Sequence, residues 1–160
     1  MSTPFDFNPN DVTVGLPVFD KGSYEIEVGE PKSFLRVGKT VDGKQKADNF
    51  GVFYKCKIAT GPKAGQVYLV NCYMHTPEAA GFSKSFLMAS LGFKKDSESE
   101  QTFNKKYENE NWKYNPEDKS AGDMWHKAKN QHLNVDLDVT INMETGDKQQ
   151  KLIAYRPLSA

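Results

Sequence analysis

Leu133, Val135, Leu137, Val139 and Ile141 alternate without a break with Asn134, Asp136, Asp138 and Thr140. A period of two places one set inside and the other in water, the mark of a half-buried strand. The same pattern recurs upstream. Phe50, Val52, Tyr54, Cys56 and Ile58 make one face of a strand over residues 49–60, and Phe53, Lys55 and Lys57 make the other. From Gly22, the apolar Tyr24, Ile26 and Val28 alternate with Glu25 and Glu27. Gly29 and Pro31 interrupt this run and Phe34, Leu35 and Val37 resume it, which predicts one sharply bent strand or two short ones. Residues 66–74 are apolar on both faces, so a strand is expected there with its inward set open. A turn at Glu144-Thr145-Gly146-Asp147 leads to a last strand over 151–155, ending before Pro157.

One segment has a helical period. Thr76 can cap it, Pro77 suits its first position and Glu78 complements its dipole. Phe82, Phe86, Ala89 and Phe93 fall on one predicted face beside Leu87 and Leu91, and Gly92 is the expected stop. Turns are expected at Val41-Asp42-Gly43-Lys44 and at Gly61-Pro62-Lys63-Ala64-Gly65. Residues 94–130 form an insert. Its polar part, 94–122, reads as loop or partly helical, with Phe103, Tyr107, Trp112 and Tyr114 scattered through it. Residues 1–21 read as an extended arm broken by Pro4, Pro9 and Pro17, with Phe5, Phe7, Leu16, Val18 and Phe19 available to pack on the body. No internal repeat is visible.

The element order is strand, strand, strand, helix, strand, strand. That predicts an all-β domain with one helix, a five-stranded OB-fold Greek-key barrel over residues 1–160. The helix lies between strands 3 and 4, and the insert precedes strand 4. Such barrels bind oligonucleotides or oligosaccharides on strands 2 and 3 and on the loops joining strands 1–2 and 4–5.

At 160 residues and 18.0 kDa, with 38% hydrophobic and 26% charged residues, the chain is sized for a single folded domain. No apolar stretch reaches the roughly 18 residues of a membrane span. The first residues lack the basic start and apolar core of a secretory signal, so a cytoplasmic protein is expected. Cys56 and Cys72 do not form a Cys-x-x-Cys pair and read as buried core thiols.

Lys+Arg and Asp+Glu are both 21, a net charge of zero that argues against a polyanion as partner. The total conceals a segregation. Residues 1–31 hold six acids and one base, whereas residues 32–66 hold eight bases and two acids, a net +6. Screening acts over about 8 Å at physiological salt, so local charge governs the local field.

In a barrel of this order, Arg36, Lys39, Lys44 and Lys46 lie on the loop joining strands 1 and 2. Lys55 and Lys57 project from strand 2 with Phe53, and Lys148 and Lys151 flank the loop joining strands 4 and 5. Single-strand binding needs cations that follow phosphates and rings that stack bases. Phe53 and one of Tyr68 or Tyr73 are the candidate rings, with Tyr73 the one assigned to stacking. Trp112, beside Lys113, is a candidate stacking flap, though loop aromatics also pack a loop onto its domain. The bland alternative is a solvated lysine face. With 19 Lys and two Arg, Arg36 and Arg156, backbone contact is expected over base readout.

Catalytic readings fare worse. Asp136 and Asp138 alternate as solvated-face residues, and His75, His126 and His132 make no zinc spacing with the cysteines. Ser83, Ser85 and Ser90 lack a nucleophile-elbow setting, and no phosphate-cradling Gly-x-x-x-x-Gly-Lys occurs. No catalytic residue, metal site or cofactor is expected.

Several stretches in order carry a family resemblance: Phe5-Asp6-Phe7-Asn8-Pro9 leading to Pro17, Gly22-Ser23-Tyr24, Gly61-Pro62-Lys63-Ala64-Gly65-Gln66-Val67, Leu91-Gly92-Phe93 and Ala154-Tyr155-Arg156-Pro157. The chain resembles phage-encoded single-stranded DNA-binding proteins of replication and recombination modules. The resemblance implies an OB-fold and sequence-independent binding of single-stranded DNA in the cytoplasm of an infected bacterial host. It also implies phage replication or recombination proteins as further partners. An OB-fold module that recruits such a partner is the alternative. Cellular bacterial counterparts end in an acidic tail, whereas residues 151–160 contain no acid, so recruitment through such a tail is not expected.

Overall fold

The structure, a computed structural model, describes residues 18–115 and 120–158. The arm up to Pro17, with its motif at Phe5 to Pro9, lies outside the described residues, as does the side chain of Tyr114. The first predicted strand is two: β1 (Gly22–Glu27) and β2 (Pro31–Arg36). Gly29 stands at the bend because nothing larger fits, since a Cβ there would fall 2.2 Å from the Lys55 carbonyl oxygen. A two-strand hairpin follows, β3 (Thr40–Val41) and β4 (Lys44–Gln45), turning through Asp42 and Gly43, both at positive φ. Then come β5 (Asn49–Ile58), β6 (Val67–Tyr73) and helix α1 (Pro77–Ser90). The insert holds α2 (Ser97–Lys106), a small hairpin of β7 (Tyr114–Asn115) and β8 (Ser120–Ala121), and α3 (Asp123–His126). The chain closes with β9 (His132–Ile141) and β10 (Lys148–Pro157).

These strands form one curled antiparallel sheet. β10 pairs with β9, β9 with β1, and β1 with the C-terminal end of β5 through Ile26–Ile58 and Glu27–Lys57. β2 takes the rest of that same β5 edge, from Pro31–Tyr54 to Arg36–Asn49. The bend at Gly29 thus lets one stretch of chain bridge two halves of the sheet. β6 lies along the opposite edge of β5. Ile26, Val52, Tyr54, Cys56, Ile58, Val70, Cys72, Leu133, Val135 and Leu137 point inward and are buried. Cys56 and Cys72 are free thiols in this core, and burial pushes the Cys56 thiol up to about 12.

Among the described residues, β6 and β10 each keep one edge without a strand partner. The seam between them is a cavity of about 210 Å³ lined by Tyr68, Leu69, Asn71, Gln150, Leu152 and Phe19. Gln150 fastens the end of the arm here: its Oε1 accepts the Phe19 N–H at 2.7 Å and its Nε2 donates to the Phe19 carbonyl at 3.1 Å. β10 runs further than expected, to Pro157, which an edge strand tolerates because no neighbour needs its missing N–H.

Helix α1 packs against β6, β9 and β10. Thr76 caps it through Oγ1 to the Ala79 N–H at 3.1 Å, and Gly92 ends it at φ +87° with the Phe93 N–H on the Met88 carbonyl. Its buried face departs from the predicted stripe. Phe86 and Ala89 are inside, but Phe82 is 69% exposed and Ser83 and Ser90 are buried in its stead. Ser83 donates to the Tyr73 and Ala79 carbonyls and Ser90 to the Phe86 carbonyl. A serine bonded to the helix itself carries no unpaired polar atom inward, so the burial costs little.

The insert has its own aromatic core. Phe103 and Tyr107 of the α2 end stack with Phe93, and Trp112 and Trp125 meet edge-on at 6.2 Å. It joins the curled sheet on its inner side, where the buried Tyr54 hydroxyl donates to the Trp125 carbonyl at 2.6 Å. The inward Ser33 hydroxyl donates to the Ser120 carbonyl. No described helix is long and apolar enough to cross a membrane.

Candidate nucleic-acid interface

The register fixes what the outer surface of β2, β5 and β6 presents. Residues directly opposite in an antiparallel pair share a face. Because Val52 and Tyr54 point in, with Ser33 and Pro31 opposite them, the outer rows follow. They are Arg36 beside Asn49, Phe34–Gly51–Tyr73, Lys32–Phe53–Asn71, Lys55–Leu69 and Lys57–Val67. Tyr68 belongs to the inner set with Val70 and Cys72, so Tyr73 is the outer tyrosine of β6.

Gly51 lies at the centre of this face. A Cβ there would come 2.0 Å from the Cys72 carbonyl oxygen, so the strands approach as they do only over glycine. The rings on either side lean across the bare backbone: Phe34 and Tyr73 meet edge-on at 5.4 Å, and Phe34 lies 6.3 Å from Phe53. Arg36 is held over this group, with Nη1 donating to the Tyr73 hydroxyl at 3.1 Å and its guanidinium 5.5 Å from the Phe34 ring centre. Three partly exposed rings and a positioned guanidinium thus form one surface.

The lysines frame it. Lys32, Lys55 and Lys57 are exposed on the strands, and Lys39, Lys44 and Lys46 are exposed on the β3–β4 hairpin. Among the described residues none of these six has an ion pair. The hairpin root is tied down by the Gly38 N–H on the Asp48 carboxylate at 2.7 Å and by the Lys46 N–H on the Lys39 carbonyl at 3.0 Å. Lys57 marks the border, since its cross-strand neighbour is Glu27.

Of the residues singled out from the sequence, Arg36, Phe53, Lys55, Lys57 and Tyr73 share this surface, and Lys39, Lys44 and Lys46 rise beside it on the hairpin. Trp112 is a correction. It is packed on the inner side of the sheet, between Phe103 and Trp125, with Nε1 donating to the Tyr107 carbonyl at 3.3 Å. It lines a cavity of about 320 Å³ with Met74, Leu87 and Trp125. Lys151 lies across from Asp138 on β9, away from the rings of β2, β5 and β6. Phe34 and Lys32 were missed, although Lys32, Phe34 and Arg36 place cation, ring and cation on one strand face, the same ingredients as Phe53, Lys55 and Lys57.

The outer surface of β1, β9 and β10 is of another kind. Arg156 grips Asp136 with Nε and Nη2 at 2.6 and 2.8 Å, and Ser23 donates to the same carboxylate at 2.5 Å. The hydrogen bonds from Arg156 hold the Asp136 carboxyl below its ordinary range, opposed by partial burial. His132 lies between Glu25 and Glu27, 2.8 and 3.5 Å away. Two of the stretches that carry the family resemblance, at Ser23 and at Arg156, therefore meet in one structural network.

No protein-family model matches the chain, and no curated protein matches it as a relative.

Proposed function

We propose that this protein binds single-stranded DNA without catalysis and with little sequence preference, on an OB-type barrel, in phage replication or recombination inside the infected bacterial host. One observation carries the reading. Phe34, Phe53 and Tyr73 form a ringed surface over Gly51, edged by Arg36 and by lysines that have no acidic partner among the described residues. Exposed rings accept any base, and unpaired lysines follow a phosphate chain without reading it. The strand order β10-β9-β1-β5-β6, with α1 between β6 and β9, supports the OB assignment.

The test is a fluorescence titration of labelled oligo-dT, with duplex DNA and RNA as competitors. Binding is expected, and Phe53→Ala is expected to weaken it more than Asp136→Ala. Equal effects would put the interface elsewhere.

A second reading, a module that recruits a replication or recombination protein, is favoured by Ile141 and Met143. These residues are 60% and 95% exposed near the β9–β10 turn. Capture of such a partner with no shift of oligo-dT would select it.

A further inference from the structure

At the root of the β3–β4 hairpin lies a groove of about 440 Å³, within the size range of ligand clefts, about 300 to 1,000 Å³. Arg36, Lys39 and Lys46 line it together with Val37, Val41 and His75. Three chain segments meet there because Gly38 allows it: a Cβ on Gly38 would lie 1.8 Å from the Lys46 carbonyl oxygen. The nearby acid Asp48 uses its carboxylate to accept the Gly38 N–H. No ion pair among the described residues engages the three cations. The groove is thus equipped for an anion.

It is also equipped for a flat apolar body. Val37 is 67% exposed on one wall, beside the three cations, and Val41 is exposed with it. His75 is set edge-on to Tyr73 at 5.6 Å and to Phe50 at 6.2 Å. Its Nδ1 is sealed from solvent without a hydrogen-bond partner. The ring is half-exposed and presents a flat surface to the groove.

A groove that offers cations together with apolar side chains and a ring suits both parts of a nucleotide, its phosphate and its base. We infer that this groove holds one nucleotide of the bound strand, its phosphate toward Arg36, Lys39 and Lys46 and its base against Val37, Val41 and His75. The inference rests on the binding function proposed above. Arg36 belongs to both places, since it bonds Tyr73 and lines the groove. The bound strand therefore leaves the rings over Gly51 and enters the groove at Arg36.

The test is photo-crosslinking of the full chain to oligo-dT carrying a single iodouracil, moved along the oligonucleotide one position at a time. Crosslinks to His75 are expected from positions at one end of the bound stretch, and crosslinks to Phe53 or Tyr73 from interior positions. His75→Ala is expected to lower affinity about tenfold, the loss of one base contact. Val37→Ser, at an exposed site that does not threaten folding, should lower it a few-fold and abolish the end-specific crosslink. If oligo-dT binds but no position crosslinks to the groove and both variants bind as the parent does, the groove is not a subsite and the proposed function survives. If the parent chain does not bind oligo-dT, the function fails and this inference with it.

Discussion

The two outer surfaces of this sheet are built from similar side chains and arranged to opposite ends. On β1, β9 and β10 the acids are engaged by their neighbours: Asp136 by Arg156 and Ser23, and Glu25 by the His132 ring at 2.8 Å. On β2, β5 and β6 the lysines make no ion pair among the described residues, and the rings face out. A surface that satisfies itself has little to offer a ligand. One that leaves cations unpaired and rings half-exposed gives up folding stability and retains capacity for a partner. The zero net charge of the chain averages over the whole sequence and describes neither surface.

The sharpest way to break this contrast is salt. If Arg36, Lys39, Lys44, Lys46, Lys55 and Lys57 each neutralise a phosphate, log affinity for oligo-dT should fall with log salt at a slope near −4, about 0.7 per contact. A flat response across a tenfold salt range would remove the electrostatic half of the contrast. Next in size is the double variant Phe53→Ala with Tyr73→Ala. It should cost about 2–6 kcal/mol of binding, at about 1–3 kcal/mol per stacked base, while the fold persists by circular dichroism. Smaller is the effect on the other surface. Arg156→Ala should lower stability to urea by about 1 kcal/mol, because Asp136 loses its partner, and should leave oligo-dT affinity within about twofold. A large loss of DNA affinity there would erase the distinction between the surfaces.

The smallest effect is a pH dependence. The Asp136 pKa is depressed in the folded state, so its contribution is present above the unfolded value of about 3.9 and is lost as pH falls through the folded value. The pair is partly exposed, so the contribution is less than about 1 kcal/mol. Asp136→Asn should remove this part of the acid limb in urea titrations run at descending pH, and an unchanged limb would show that Asp136 is not paired in solution.

Much of this architecture was legible because a period of two is hard to disguise. The strands around Val52–Ile58 and Leu133–Leu137 stand where alternation put them, with the expected sides inward. Legibility failed where hydroxyl and phenyl exchanged places. Ser33 is buried and Phe34 faces out; Ser83 is buried and Phe82 faces out. In each pair the serine bonds to a backbone carbonyl and goes inward without penalty, and the neighbouring ring is carried to the surface. Hydropathy ranks phenylalanine above serine and so inverts both. That inversion hid Phe34, the ring at the centre of the candidate interface. Trp112 was misplaced for another reason: the partners that hold it, Phe103 and Trp125, are brought to it by the fold of the insert, which no local period describes.

The joint at Gln150 has a mechanical consequence. A ring of strands bonded all the way round has its girth fixed by its ladders, and widening it means breaking a row of backbone bonds. Here, among the described residues, β6 and β10 share no ladder: Gln150 of β10 holds the Phe19 backbone and the Asp138 carbonyl, and the Phe19 ring meets Tyr68 of β6 at 6.2 Å. At this one seam the sheet is closed by side chains alone, so parting it beside Leu69 and Asn71 breaks side-chain contacts and no ladder, whereas parting it anywhere along β10-β9-β1-β5 breaks a row of backbone bonds.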